Sequence, residues 1–262
     1  MENEDSNKSY VKRFINMLDS FFNDDTTYFA ASLSFFTIFA ILPIIALLIA
    51  IVSNFQDFDK YLDIFINFIF NIINPTHSND IVLALKNYIS NSSKLGSIGI
   101  IYMIFVFTMF VKDYEYIVNK IHKTKRKSIH FSFILYSILL ILLPILFIAT
   151  NILMSLHDNT ILNYIFSYIF AWFIFYALFK LSVNTFINNK AALISSFFTL
   201  TILSITKNLF IYYVIYNKTY TTIYGSLATL LFTFLWIYIS WIIYLYGIKM
   251  CYKLNIKQET NH

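Results

Sequence analysis

From Thr26 to Gln56 the chain carries no charged side chain, and this uncharged run limits what it can fold into more than any other feature. About 20 mainly apolar residues in a helix cover the roughly 30 Å hydrocarbon core of a bilayer, so the stretch 28–53 is long enough to cross. Asp24 and Asp25 stand at its head, where carboxylates accept orphan backbone N–H groups and meet the positive end of the helix dipole. Five more runs follow, near 95–111, 131–156, 161–179, 191–216 and 223–248. Backbone in lipid must pair internally, which leaves helices and closed barrels. Barrel strands would alternate over about ten residues, and these runs do not alternate. Composition agrees: 58% of residues are hydrophobic and 13% charged, about half the roughly 25% charge of a soluble domain. The sequence therefore predicts an all-α polytopic membrane protein of about six transmembrane helices.

Two further regions have helical periodicity without the length to cross. Val11, Phe14, Ile15, Leu18, Phe21 and Phe22 recur among Lys12, Arg13, Asn16 and Asp19, the pattern of an amphipathic helix lying in the interface. Between the first two spans, Phe58, Tyr61, Leu62, Phe65, Ile69 and Ile72 repeat in the same way, "NPTHSND" interrupts at 74–80, and 81–89 follows as a second amphipathic stretch. The two helices of this second region are expected to pack on the outer end of the bundle or to be partly re-entrant. The chain thus divides into a cytoplasmic amphipathic segment (1–27), a six-span bundle (28–248) and a cytoplasmic tail (249–262). The first 27 residues are too polar and acidic for a cleaved leader, so the first span is expected to serve as an uncleaved signal. Placing the N-terminus inside puts fourteen of the nineteen Lys and Arg residues on the cytoplasmic side. That asymmetry predicts both termini inside.

The polar residues within the runs are the candidates for function. In the sixth run Gly225, Thr229, Thr233, Trp236, Ser240, Tyr244 and Gly247 fall on one helical stripe. Such a stripe reads first as close helix contact through small residues, and second as the lining of a polar cavity. The fifth run carries Ser204, Lys207 and Asn208 among other hydroxyls. Lys207 is the candidate intramembrane charge: it either faces the protein interior, where such charges mark function, or snorkels to the headgroups. In the first run Ala30, Ser34 and Thr37 share a face beside Ala31, and Pro43 removes a helix hydrogen bond and can kink the helix. Ser34, Thr37, Ser204, Asn208, Thr229, Thr233 and Ser240 are the candidate cavity lining. Ala30, Ala31, Pro43, Gly225, Trp236 and Gly247 are the candidate packing or kink positions.

Enzyme signatures are lacking. The five histidines are scattered, with no HExxH spacing, and there is no P-loop and no GxSxG elbow. Cys251 is the only cysteine, so no internal disulfide can form. No catalytic, metal or cofactor residue is assigned. The basic run "NKIHKTKRKSIH" (119–130) suits anionic lipid headgroups or RNA. The orientation signal already accounts for it, and nucleic-acid binding is the weaker reading. Membrane lipids are the expected partners, with an envelope protein or a second copy of the chain as further options.

Three segments resemble the YihY/BrkB family. "AASLSFFTIFAILP" is similar to its first-span signature, matching at Ala30, Ala31 and Pro43. "VNKIHKTKRKS" resembles its Asn-Arg-Ile-Trp segment, matching at Asn119 and Ile121. "YGSLATLLFTFLWIYISWIIYLYGIKM" resembles its closing block, matching at Tyr224, Gly225, Trp236 and Gly247. Family members often follow that last glycine with Ala-Glu, where this chain has Ile248 and Lys249. The resemblance implies a bacterial inner-membrane protein of six spans. Members have been labelled ribonuclease BN, others are linked to serum resistance, and some to lipid or lipopolysaccharide export. The expectation is a non-enzymatic protein that transports or exports a lipid or small amphipathic solute. A structural envelope protein is the alternative, and a ribonuclease acting on tRNA a weaker one.

Overall fold

A computed structural model describes residues 25–52, 96–155, 159–216 and 227–259, with single positions at 67, 83 and 87. The amphipathic N-terminal segment, the two helices expected within 54–94, and Gly225 lie outside the described residues. Six long helices make up the rest: α1 (Asp25–Val52), α2 (Gly96–Ile121), α3 (Ile129–Ser155), α4 (Thr160–Leu181), α5 (Asn189–Tyr216) and α6 (Leu227–Glu259). No strand occurs among the described residues. Four of the helices, α3 to α6, are long and apolar enough to cross a membrane. Their outer faces carry exposed Ile138, Ile141, Ile169, Phe173, Ile202, Ile205 and Leu235. Apolar surface on this scale is too extensive for water and fits lipid.

Helix ends follow local chemistry. The Asn159 side chain caps α4, accepting hydrogen bonds from the backbone N–H groups of Ile161 at 2.9 Å and Leu162 at 3.4 Å. At the end of α2, Lys123 takes φ 54°. Its N–H donates to Lys120 O at 3.1 Å, and the Thr124 N–H donates to Asn119 O at 2.9 Å. This is the paired-bond stop that satisfies orphan carbonyls after a left-handed residue. Two helices outrun the apolar runs that announce them. The second run ends at 111 while α2 continues to Ile121, and the sixth ends at 248 while α6 continues to Glu259. Lys112, Asp113 and Glu115, and likewise Lys249 and Lys253, lower hydropathy without breaking a helix, because Lys and Glu are good helix formers and a single Asp is tolerated among them. The segment taken from composition as a tail is therefore largely the last turns of α6.

In the bundle α6 packs against α5, α1 and α2, α1 against α2, and α4 against α5. The main core gathers toward one end. There Ala30 and Leu33 of α1, Val111, Ile117 and Val118 of α2, Phe179 of α4, Ala191 and Ala192 of α5, and Leu245 and Ile248 of α6 are all buried. Several links bring element ends together here. Lys120 pairs with Asp25 at 3.9 Å, and the Asn184 side-chain amide donates to Lys125 O at 3.0 Å. Asn255 Oδ1 accepts from the Asn188 N–H at 2.7 Å. The start of α1, the ends of α2, α4 and α6 and the start of α5 therefore share one end, rich in Lys and Arg. We call it the basic end.

Candidate functional site

A polar network is built where this end meets the apolar bundle. Tyr114 lies on the part of α2 that extends beyond its apolar run, and the phenol is buried. Its Oη is 2.5 Å from Tyr244 Oη of α6 and 2.9 Å from Ser182 Oγ after α4. One turn on, Asn119 is 1% exposed and uses both ends of its amide. Its Nδ2 donates to Glu115 O at 2.9 Å and Ser182 O at 3.1 Å. Its Oδ1 accepts from the Asn184 N–H at 2.7 Å and from Thr124 Oγ1 at 2.9 Å. Four partners from three segments make Asn119 the staple between the α2–α3 and α4–α5 connections. Buried polar groups of this kind must be satisfied to be tolerated.

Glu115 stands beside Asn119, with its Oε1 accepting from the Lys127 N–H at 3.0 Å. Burial pushes its carboxyl above the ordinary range, partly offset by that hydrogen bond and by the Lys127 and Arg126 charges. The Lys127 ammonium donates to Leu181 O. Burial holds His122 below the usual imidazole range, with a backbone hydrogen bond to Val118 O opposing the shift. Nearer α1, Ser32 Oγ donates to Asp113 Oδ2 at 2.8 Å.

Below the network lies a cavity of about 390 Å³ between α1, α2, α3 and α4. Its walls include Ile44, Phe107, Phe110, Val111, Leu140 and Leu143, and its upper rim includes Tyr114, Tyr136 and Leu181. The volume is in the range of sites that hold small molecules. Tyr136 is 8% exposed, and its hydroxyl is buried beside Ser182. The ring lies edge-on to Tyr114, with centroids 5.5 Å apart.

Apart from Tyr244 and Asn119, the residues singled out by sequence fall elsewhere. Ser34, Thr37, Thr233 and Ser240 each donate to the carbonyl four residues back, to Ala30, Leu33, Thr229 and Trp236 respectively. Such bonds satisfy a hydroxyl within its own helix. Only Thr37 of these also reaches across the bundle, accepting from Trp241 Nε1 at 2.9 Å. Thr229 and Ser204 are half-buried and Asn208 is exposed. None of the seven candidate lining residues borders the cavity between α1 and α4. Ala30 is buried in the core while Ala31 is exposed, and α1 stays helical through Pro43. Gly247 faces Thr199 of α5: a Cβ there would come within 2.9 Å of Thr199 Cβ and Cγ2. Trp236 packs on Phe210 of α5 at 5.4 Å. Lys207 is half-buried on α5.

Sequence reasoning missed Ser182, Asn184, Tyr136 and Trp241, which are ordinary residues until the fold unites them. Asn119 carried a signal only through the family resemblance. Among the described residues no group of three His, Cys, Asp or Glu side chains could hold a metal ion.

A profile for the virulence factor BrkB matches residues 17–262. A UPF0761 membrane protein of Pseudoalteromonas atlantica is 26% identical, over 94% of this chain and 86% of its own length. One from Legionella pneumophila is 30% identical over 94% of this chain, which spans only 63% of that relative. A third, from Aggregatibacter aphrophilus, is 27% identical over 91% of each. No solved structure matches.

Proposed function

The chain belongs to the BrkB virulence-factor family of integral membrane proteins, and we propose that it is a six-span, non-enzymatic protein of the bacterial inner membrane that transports or exports a lipid or small amphipathic solute. The observation that carries this reading is the apolar cavity between α1 and α4, closed above by the network of Tyr114, Ser182 and Tyr244. An amphipathic molecule needs both environments: hydrocarbon walls for its apolar part and a polar, charged end for the rest. α1 and α2 complete the count of spans. Both are long helices that pack within the same bundle, and the gathering of Lys and Arg at one end favours placing that end in the cytoplasm.

The test is a reconstituted assay. Purified protein in proteoliposomes should accelerate movement of a fluorescent phospholipid between leaflets, and Ala177→Phe, which fills the cavity from α4, should reduce the rate at least severalfold. Wild-type rates in the filled variant would remove the cavity from the path.

A structural role in the envelope is the second reading, favoured by the exposed Lys123, Lys125 and Arg126 of the α2–α3 connection. A stoichiometric crosslinked partner, together with no lipid movement in liposomes, would select it.

A further inference from the structure

We infer that the cavity between α1 and α4 is the seat for one acyl chain of an anionic phospholipid, whose headgroup lies against Lys123, Lys125 and Arg126. The inference rests on the transport reading only for its purpose; the binding site stands or falls by itself.

Three observations carry it. First, the cavity opens sideways. Among its lining residues Leu142 of α3 is 41% exposed and Phe173 of α4 is 53% exposed, whereas Phe107 and Val111 on its inner wall are buried. The mouth therefore lies between α3 and α4, on faces read as lipid-covered. At 1.5 Å per helical residue, the lining from Tyr136 to Leu146 runs about 15 Å along α3. That is a slot parallel to the helices, shaped for a chain rather than a compact solute. Apolar cavities of this kind stay dry and accept apolar molecules.

Second, the slot ends at a polar region: Tyr114 and Tyr136 line its upper end, and their buried hydroxyls turn to Ser182. The ester-bearing head of an acyl chain matches that end.

Third, positive charge stands directly above. Leu181 forms part of the rim, and its carbonyl is held by the Lys127 ammonium. Lys123, Lys125 and Arg126 of the same connection are exposed, and none makes an ion pair within 4.0 Å among the described residues. Lipid tails are as apolar as leucine, so the slot alone gives little preference over bulk lipid. Selectivity must come from the headgroup, through the attraction of Lys and Arg for anionic lipid. A protein or peptide occupant does not combine an apolar chain that fills a slot in the hydrocarbon layer with an anionic head that meets the basic connection above it.

Trp241 provides the readout, because its ring lies 6.1 Å from Phe110 and 6.0 Å from Tyr114, both of which line the cavity. With Trp172→Phe and Trp236→Phe it is the only tryptophan left. The protein is placed in phosphatidylcholine nanodiscs containing phosphatidylglycerol with brominated chains. Quenching of Trp241 should saturate at low mole fraction and exceed that from brominated phosphatidylcholine. Lys125→Gln and Arg126→Gln should weaken that preference by about fivefold per charge removed at low salt. Ala177→Phe should abolish saturation, and Leu143→Phe serves if that variant does not fold. Quenching that rises linearly and equally for both lipids, or survives both fillers, overturns the site. Saturable binding without lipid movement keeps the site and defeats the transport reading. Movement without saturable quenching does the reverse.

Discussion

Gly247 shows how little room α5 and α6 leave each other. A methyl group there would overlap Thr199 Cβ and Cγ2 at 2.9 Å, and the Cβ atom cannot rotate aside. Overpacking of this kind costs about 1–3 kcal/mol. Gly247→Ala should lower the thermal midpoint in detergent, and adding Thr199→Gly should restore part of the loss. A double-mutant cycle would show coupling because the two sites touch. Asn119 gives the polar counterpart. Asn119→Ala removes four hydrogen bonds at once and leaves buried groups of two connections unpaired. Each such group costs about 1–3 kcal/mol, so this variant should be among the most destabilising single changes. Equilibrium unfolding in mixed micelles would measure it. Asn119→Asp should not rescue the fold, since its second oxygen would face the carbonyl oxygens of Glu115 and Ser182 in a buried site.

The elements divide into those legible in the sequence and those that were not. Apolar runs announced α3, α4 and α5 to within a few residues, because hydropathy is what separates lipid-facing helix from everything else. The ends of α2 and α6 were not legible by that measure. Lys112, Asp113, Glu115 and Lys249 end a hydropathic run but not a helix, and the polar network lies in those final turns. Its members at 114, 119, 182, 184 and 244 are distant in sequence and ordinary in type, so no local pattern could join them. The polar stripe of α6 was legible, but its partner was not: only the fold sets Gly247 on Thr199 and Tyr244 on Tyr114. Element ends also carry predictions. Asn159→Ala removes the cap of α4 and should cost about 1 kcal/mol, with Asn159→Asp close to neutral by the same measurement. At the end of α2, His122 is buried and held below its ordinary pKa of 6.5. The folded state therefore takes up its proton less readily than the unfolded chain. The contribution of His122 is complete above pH 6.5 and is lost as pH falls below it. Glu115, raised above 4.5, has the opposite sign and weakens the fold as pH rises through that lower window. Comparing wild type with His122→Gln between pH 7.5 and 5.5 isolates the histidine. The wild type should lose more stability on acidification than the variant.

At the scale of the whole molecule, arrangement and charge point the same way. Asp25 reaches Lys120, Asn184 reaches Lys125, and Asn188 reaches Asn255, so the start of α1 and the end of α6 meet at the basic end. The α3–α4 connection, where Asn159 caps α4, lies a full helix length away along α3. A bundle that begins and ends on one face of a membrane crosses it an even number of times, and the orientation we propose sets that face in the cytoplasm, as the positive-inside bias favours. Cysteine labelling tests this cleanly, because Cys251 is the only thiol and is fully buried. On a Cys251→Ser background, single cysteines at Lys125 and Lys257 should react with a membrane-impermeant maleimide only after the inner membrane is opened. A cysteine at Asn159 should react in cells whose outer membrane alone is permeable. Equal labelling at 125 and 159 in such cells would break the even count, and with it the proposed placement of the basic end in the cytoplasm. If the expected pattern holds, the exposed Lys123, Lys125 and Arg126 stand at the cytoplasmic headgroup layer, and the slot between α3 and α4 receives its chain from the leaflet beneath them.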